Sequence, residues 1–394
     1  MNLALSIVPG AHALMSINVR PPAVMVRGAG SYLWDEAGTR YLDFIQGWAV
    51  NSLGHSPELV RAALNEQASL LITPSPAFHN RPQLELAHLL IELSGAHQVT
   101  FVNSGAEANE AALKLARKWG RLHKHGAFSV VTTHGAFHGR TLATMAASGK
   151  PGWDQLFPPN PPGFVKVPFG DVSAIEAAID DSTLAVMVEP IQGEAGVVVP
   201  PPGYLSALRR LCDAHDLLLI ADEVQTGVGR TGRFLAQEHE NVRADITTLG
   251  KGLGGGVPVA AVLANERAAC FEPGDQGSTF GGNPLMTGVA LAVVRAVSHP
   301  DFLAHVREQG EYLGSALDEL ARDFGGAVAR GQGLLRALVF DRPIATALTE
   351  AARGQGLLVN AARPDIVRLM PQLALSSSES DEMATLLGQA HATL

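Results

Sequence analysis

The chain has 394 residues, 46% of them hydrophobic and 17% charged, with a formal net charge of −9. That length exceeds one ordinary core, and that balance excludes a disordered or fibrous chain. The acidic surplus, with no basic block to offset it, excludes a general nucleic-acid binder, whose phosphate partners demand lysine and arginine.

In chain order, Met1 to Arg20 lacks the basic n-region of a signal peptide. No run of about 18 apolar residues follows that could span a membrane. Turn signals such as Glu36-Ala37-Gly38-Thr39 mark the first 45 residues. From about residue 95 to 285 short apolar runs alternate with helical patterns, which predicts a mostly parallel sheet flanked by helices in an α/β fold. The predicted strands include Val99–Val102, Phe128–Val131, Thr183–Val188 and Leu217–Ile220. None shows polar alternation, so both faces should be covered. Helices are expected over Ala106–Trp119 and over Tyr204–His215, the second punctuated by Pro200, Pro201 and Pro202. The tail reads as a helix over Pro300–Phe324 and a strand over Leu334–Phe340. A large domain over 46–285 is therefore expected, with a smaller α+β domain assembled from 1–45 and 286–394. Cys212 and Cys270 form neither a disulfide framework nor a metal-like pair, so a soluble cytoplasmic protein is expected.

Five segments carry candidate chemistry. Asn103-Ser104-Gly105-Ala106-Glu107-Ala108-Asn109-Glu110 follows a strand and opens a helix, with Ser104 as N-cap. Such a start can seat a phosphate on its free amides, or can be a plain capped helix. Phe137-His138-Gly139-Arg140-Thr141 offers an aromatic face for a flat ring and a guanidinium for a carboxylate, or a core phenylalanine and a surface arginine. His134 and His138 lie four apart, but the flanking glycines argue against a helical metal pair, and no metal is expected. Asp222 ends an apolar strand, where an α/β sheet binds ligands and where a carboxylate needs a cation. Lys251 lies among glycines 29 residues further on, room for one more strand, and a desolvated amine there could form a covalent bond to an aldehyde. Gly227-Val228-Gly229-Arg230-Thr231-Gly232 fits a dinucleotide fingerprint and keeps a nicotinamide dehydrogenase as a remote alternative. Four residues intervene after the strand, however, and no glycine-led helix follows.

Taken together with Val188-Glu189-Pro190-Ile191-Gln192-Gly193-Glu194-Ala195-Gly196 and Gly277-Ser278-Thr279-Phe280-Gly281-Gly282-Asn283-Pro284, these segments resemble the class III aminotransferases of fold type I. The resemblance runs from about residue 20 to the C-terminus. It implies pyridoxal 5'-phosphate as cofactor and a homodimer with active sites at the interface. Lys251 would hold the cofactor covalently and then carry the proton, and Asp222 would pair with its pyridine nitrogen. Gln225 would bond the ring oxygen, Phe137 would stack on the ring, and His138 and Val224 would line its seat. Ser104, Gly105 and Ala106 would hold the phosphate, with Thr279 contributed by the partner subunit. Within the class the chain most resembles the acetylornithine aminotransferases, which implies N-acetylornithine and 2-oxoglutarate as substrates. Arg140 would then take the distal carboxylate and Arg368 the α-carboxylate of glutamate. Glu194 would pair with Arg368 and move aside for glutamate, and Ser278 would touch substrate. Gly47 favours an acylated substrate, being smaller than the residue that ornithine aminotransferases tend to carry. The segment Leu71 to Asn80 departs from the acetylornithine pattern near the substrate entrance. Ornithine, succinylornithine and succinyl-diaminopimelate therefore remain alternatives.

Overall fold

A computed structural model describes residues 8–394. Near the start, β1 (Met25–Ala29), β2 (Tyr32–Asp35) and β3 (Arg40–Asp43) form an antiparallel meander. The expected turn joins β2 to β3. Gly38 takes φ 82°, the left-handed region open to glycine, and Thr39 N donates to Asp35 Oδ1 at 2.8 Å.

The central sheet has seven strands: β4 (Gln98–Val102), β5 (Ser129–Thr133), β6 (Phe164–Val167), β7 (Thr183–Val188), β8 (Leu218–Asp222), β9 (Ile246–Leu249) and β10 (Ala260–Ala264). Their spatial order is β4-β10-β9-β8-β7-β5-β6. β10 runs antiparallel to both neighbours and the other adjacent pairs are parallel, as an α/β fold with a mostly parallel sheet requires.

Every residue of β7, β8 and β9 is buried, which explains their unbroken apolar runs. The two-residue period of a strand divides them between two cores. Met187, Leu218 and Ile220 pack with the helix Gly105–His123, through Ala108, Ala112 and Leu115. Val186, Val188 and Leu219 pack on the opposite face with the helix Tyr204–Ala214, through Leu205 and Leu208. At about 1.5–3 kcal/mol for each large aliphatic side chain removed from water, these layers hold the sheet edge rigid beneath the site. The predicted strand at Phe128 begins one residue later and runs two further. Phe128 is exposed, whereas Thr132 and Thr133 are buried, and Gln192 Nε2 donates to Thr133 Oγ1 at 3.0 Å.

After the helix Pro300–Phe324 come β11 (Ala327–Gln332), β12 (Leu335–Phe340), β13 (Leu357–Leu358), β14 (Asn360–Arg363) and β15 (Ile366–Leu369). Four of these make an antiparallel sheet ordered β11-β12-β15-β14. β13 instead joins β3 in parallel, with Leu357 opposite Leu42, so the two ends of the chain share one sheet. Among the described residues no single helix is long and apolar enough to cross a membrane.

Candidate active site

The loops at the carboxyl edge of the central sheet converge on Asp222, the last residue of β8. Its buried carboxylate is met by neutral or weakly basic donors. Asn109 Nδ2 donates to Oδ2 at 2.7 Å, His138 Nδ1 lies 2.8 Å from the same oxygen, and Val224 N donates to Oδ1 at 3.1 Å. Asn109 is fixed in turn, donating to His138 O at 2.7 Å and accepting from Thr248 Oγ1 at 2.8 Å. Among the described residues no lysine or arginine pairs with Asp222. A carboxylate oriented by four elements, with no strong cation of its own, is equipped to pair with a cation brought by a ligand.

Lys251 follows β9, the single strand between it and Asp222, and Thr248 of β9 stands opposite Asp222. Its φ of 43° is strained for a side-chain-bearing residue and costs on the order of 1–3 kcal/mol, a feature that clusters at functional sites. Burial depresses the pKa of its amine, and Arg368 depresses it further, while Glu194, Asp222 and Glu189 act the other way. A desolvated amine facing carboxylates is suited to nucleophilic attack on an aldehyde.

The helix Gly105–His123 opens with a full capping box, Ser104 against Glu107. The Glu107 carboxylate takes the amides of Asn103 and Ser104 at 2.7 and 2.9 Å, and Ser104 Oγ caps Glu107 N at 3.2 Å. Ser104 is thereby committed to the cap. The Gly105 and Ala106 amides keep no intrahelical acceptor and remain for an anion. A Cβ at Gly105 would come within 2.6 Å of Val224 Cγ1, and one at Gly250 within 3.4 Å of Gly105 Cα. Gly105→Ala is accordingly expected to weaken cofactor retention by about tenfold with little loss of helix, checked by titrating the apoprotein with pyridoxal phosphate.

Among the described residues, two buried atoms lack partners at this edge, His138 Nε2 and Gln225 Nε2. Buried polar groups are rarely left unbonded, and a flat polar ligand would satisfy them. With the anion seat, the amine and the oriented carboxylate, these residues fit pyridoxal phosphate. Phe137 lies at this edge too, edge-on to Trp153 at 5.7 Å, and its N donates to Glu189 Oε2 at 3.0 Å. Burial lifts Glu189 to about 7, with His138 opposing and Asp222 adding to the rise. A carboxyl raised in the folded state contributes stability that is complete below about pH 4.5 and is lost as pH rises through about 7. Glu189→Gln should therefore flatten the fall of Tm between pH 5 and 7.5; an unchanged slope would assign that fall elsewhere.

On the substrate side, Arg368 of β15 is fully buried. Its Nη2 donates to Glu194 Oε1 at 2.7 Å and to Asn360 Oδ1 at 2.9 Å, and its Nη1 donates to Gln225 Oε1 at 3.3 Å. Burial raises the Glu194 carboxyl, but Arg368, Lys150 and Lys251 outweigh it and hold the group at about 2. Arg140 is exposed, 5.3 Å from the Trp153 ring, and among the described residues no carboxylate pairs with it. Gly47 lies in a left-handed turn with Gln46, Trp48 and Ala49 at φ 48°, 67° and 63°. Such backbone costs roughly 1–2 kcal/mol for each residue with a side chain. Asp43 offsets part of it by accepting from Ile45 N at 2.8 Å and Gln46 N at 3.1 Å. The turn sets Trp48 5.7 Å from the Arg368 guanidinium. Ser278 Oγ accepts from Asn103 Nδ2 at 3.0 Å, and Thr279 stands exposed.

The structure thus gathers Asp222, His138, Gln225, Lys251, Glu194 and Arg368, while Ser104 serves the helix cap. The dinucleotide reading is corrected. Gly227–Gly232 is a loop, the next helical turn starts only at Ala236, and Arg230 turns inward to donate to Leu334 O at 3.1 Å. Sequence reasoning missed Asn109, Glu189, Lys150, Trp48 and Asn360 as site residues. Asn109 could have been found, because it falls on the apolar stripe of its helix beside Ala108 and Ala112, where a polar residue needs a reason. Asn360 gives no such signal, since only the sheet pairing β14 to β15 brings it opposite Arg368.

Comparison with known proteins converges on one family. The aminotransferase class-III family model matches residues 14–390. An acetylornithine aminotransferase of Ralstonia nicotianae is 52% identical over 382 residues, covering 95% of this chain and 96% of the relative. Among solved structures, an ornithine aminotransferase of Toxoplasma gondii superposes with TM-score 0.92 at 34% identity, covering 97% of this chain and 93% of that one. An N-acetylornithine aminotransferase of Stenotrophomonas maltophilia superposes with TM-score 0.85 at 36% identity, covering 99% and 98%.

Proposed function

The chain belongs to the class III aminotransferases and is a pyridoxal-phosphate-dependent transaminase, and from that premise we propose that it moves the ω-amino group of N-acetylornithine to 2-oxoglutarate, yielding the semialdehyde and glutamate. The observation that carries the ω-amino-acid assignment is the Glu194–Arg368 pair at 2.7 Å, with Arg140 facing Trp153 and meeting no carboxylate among the described residues. An ω-amino acid brings one carboxylate, distal to the reacting amine, and Arg140 receives it while Glu194 keeps Arg368 neutralised. Glutamate brings a second carboxylate next to the reacting carbon. Arg368 takes that one bidentately once Glu194 withdraws, and Asn360 and Gln225 keep the guanidinium in place.

The bound cofactor supplies an electron-poor ring that stabilises negative charge on the substrate carbon. Lys251 would hold the cofactor covalently and would carry the proton at Nζ. Asp222 would keep the ring nitrogen protonated, Gln225 would bond the ring oxygen through Nε2, and Phe137, His138 and Val224 would wall the ring. The Gly105 and Ala106 amides would hold the phosphate beside Ser104, and Ser278 would touch substrate from the mouth of the site.

Thr279 reaches the phosphate of a second subunit in this reading, so the working form is a homodimer. Support comes from Asn80 Nδ2, which donates to Gly282 O at 2.9 Å and ties together two segments bearing exposed Leu71, Ile72, Phe78 and Phe280. Such an apolar patch suits a second copy of the chain. In this reading the large domain is 46–285, with the described residues 8–45 and 286–394 building the smaller one. The charge of −9 supports a soluble cytoplasmic enzyme with neither nucleic-acid nor membrane partners.

A second reading, free ornithine as donor, is favoured by the likeness to the Toxoplasma enzyme and by the divergent Leu71–Asn80 segment. The exposed Gly47, which leaves room for an acyl group, favours N-acetylornithine. Glutamate release from N-acetylornithine, N-succinylornithine, N-succinyl-diaminopimelate, ornithine and 4-aminobutyrate tests the choice. The highest kcat/KM should fall to N-acetylornithine; a higher value for ornithine would move the assignment to the second reading.

A further inference from the structure

We propose that Lys150 is a positioning residue, the second seat of Glu194, which holds that carboxylate when it leaves Arg368. The inference rests on the two-geometry reading above and names what makes the exchange possible. Glu194 is bridged between two cations, with Oε1 on Arg368 Nη2 at 2.7 Å and Oε2 on Lys150 Nζ at 3.2 Å. The two cations differ in exposure. Arg368 is 1% exposed and held by Asn360 and Gln225, whereas Lys150 is 22% exposed.

Three features fix Lys150 in place. Gly149, which precedes it, is stitched to the strand-end loop, with Gly135 N donating to Gly149 O and Gly149 N to Ala136 O, each at 3.0 Å. No side chain fits at 149, because Thr133 O and Gly135 N already fill that space. The Lys150 ammonium lies 4.7 Å from the Phe137 ring and 5.3 Å from Trp153, both favourable cation–π distances. Arg140 stands 5.3 Å from the same Trp153 ring on behalf of another carboxylate, so the cationic side of the site discourages Lys150 from moving that way.

The consequence lies in the difference between the two states. With Arg368 occupied by Glu194, Lys150 is a secondary partner, and its loss is partly covered by the guanidinium. With Arg368 occupied by a substrate carboxylate, Lys150 becomes the cation that keeps Glu194 from being a half-buried unpaired charge. Lys150 therefore favours the open arrangement and lowers the KM for the dicarboxylate substrates selectively. On the substrate side Arg140, Lys150 and Arg368 stand with the carboxylate of Glu194, a cationic surplus that suits a doubly charged acceptor such as 2-oxoglutarate.

The test uses the cofactor-loaded enzyme. In Lys150→Gln the KM for 2-oxoglutarate and for glutamate should rise about 5–10-fold, the worth of one partly exposed charged hydrogen bond. The single-turnover half-reaction with N-acetylornithine should shift by less than about twofold, because Glu194 stays on Arg368 there. Calorimetric titration with glutarate, which engages both arginines without reacting, should show the same rise in Kd, and Lys150→Arg should restore both values. A rise confined to N-acetylornithine would mean that Lys150 reads the distal carboxylate, and no change in glutarate affinity would overturn the second seat outright. A parent enzyme that binds glutarate but forms no glutamate from any ω-amine would instead defeat the transaminase reading, with the titration of the variant still deciding the role of Lys150.

Discussion

Lys251→Ala is expected to fold like the parent and to lose glutamate formation by on the order of 10⁴-fold or more. In the proposed mechanism the residue has two tasks, covalent attachment and proton transfer, and no described neighbour can assume either. Arg368 is a guanidinium with no accessible neutral form, and Lys150 is committed to Glu194 and the Phe137 ring. Folding should survive because the amine contributes no hydrogen bond to the surrounding frame, and truncation relieves a buried cation whose pKa burial already depresses. Left-handed backbone at 251 remains open to alanine at about the same cost. The absorbance band of covalently attached cofactor should vanish in the variant, and its Tm should stay within about 3 °C of the parent, the scale of a sub-kcal/mol change in a chain of this size. Residual turnover within about tenfold of the parent would remove Lys251 from the mechanism.

Asp222→Asn carries the second-largest expected effect, a loss of about 10²–10³-fold in kcat, the scale reported by removal of one preorganised electrostatic partner from a dry site. Asparagine preserves shape and keeps an oxygen for Asn109 or Val224, so the network around it should persist. What is lost is the negative charge that holds a proton on the ring nitrogen, and with it the capacity of the ring to withdraw electrons. The diagnostic is a drop in kcat with substrate KM little changed, accompanied by a shifted absorbance maximum of the bound cofactor. A variant as active as the parent would mean that the strand-end carboxylate is structural.

The central layers were legible because they obey one rule. Thr183–Val188 is buried on both faces, and a strand with no polar alternation has no other place in a soluble fold. Helix ends that carry their own chemistry were legible too, as at Ser104 and Glu107, and Pro300–Phe324 starts on its one proline. The antiparallel insertion of β10 was hidden, since Ala260–Ala264 is as apolar and as buried as the parallel β7, and strand direction leaves no mark in composition. The site divided the same way. Asp222 and Lys251 announce themselves as costly residues at strand ends. The left-handed turn at Gln46–Ala49 does not, because three of its four residues are not glycine and its support comes from Asp43 through tertiary contacts. Lys150 is ordinary in sequence; its meaning comes from Glu194, 44 residues away along the chain.

The transfer itself is tested most directly with N-acetylornithine carrying ¹⁵N at the ω-amine, incubated with the loaded enzyme and unlabelled 2-oxoglutarate, with the glutamate read by mass spectrometry. Label in the amino group of glutamate, and none when the ¹⁵N is placed at the α-nitrogen instead, is the predicted result. Label appearing as free ammonia, with glutamate unlabelled or absent, would contradict transamination from the ω-carbon and with it the roles assigned to Arg140, Glu194 and Arg368.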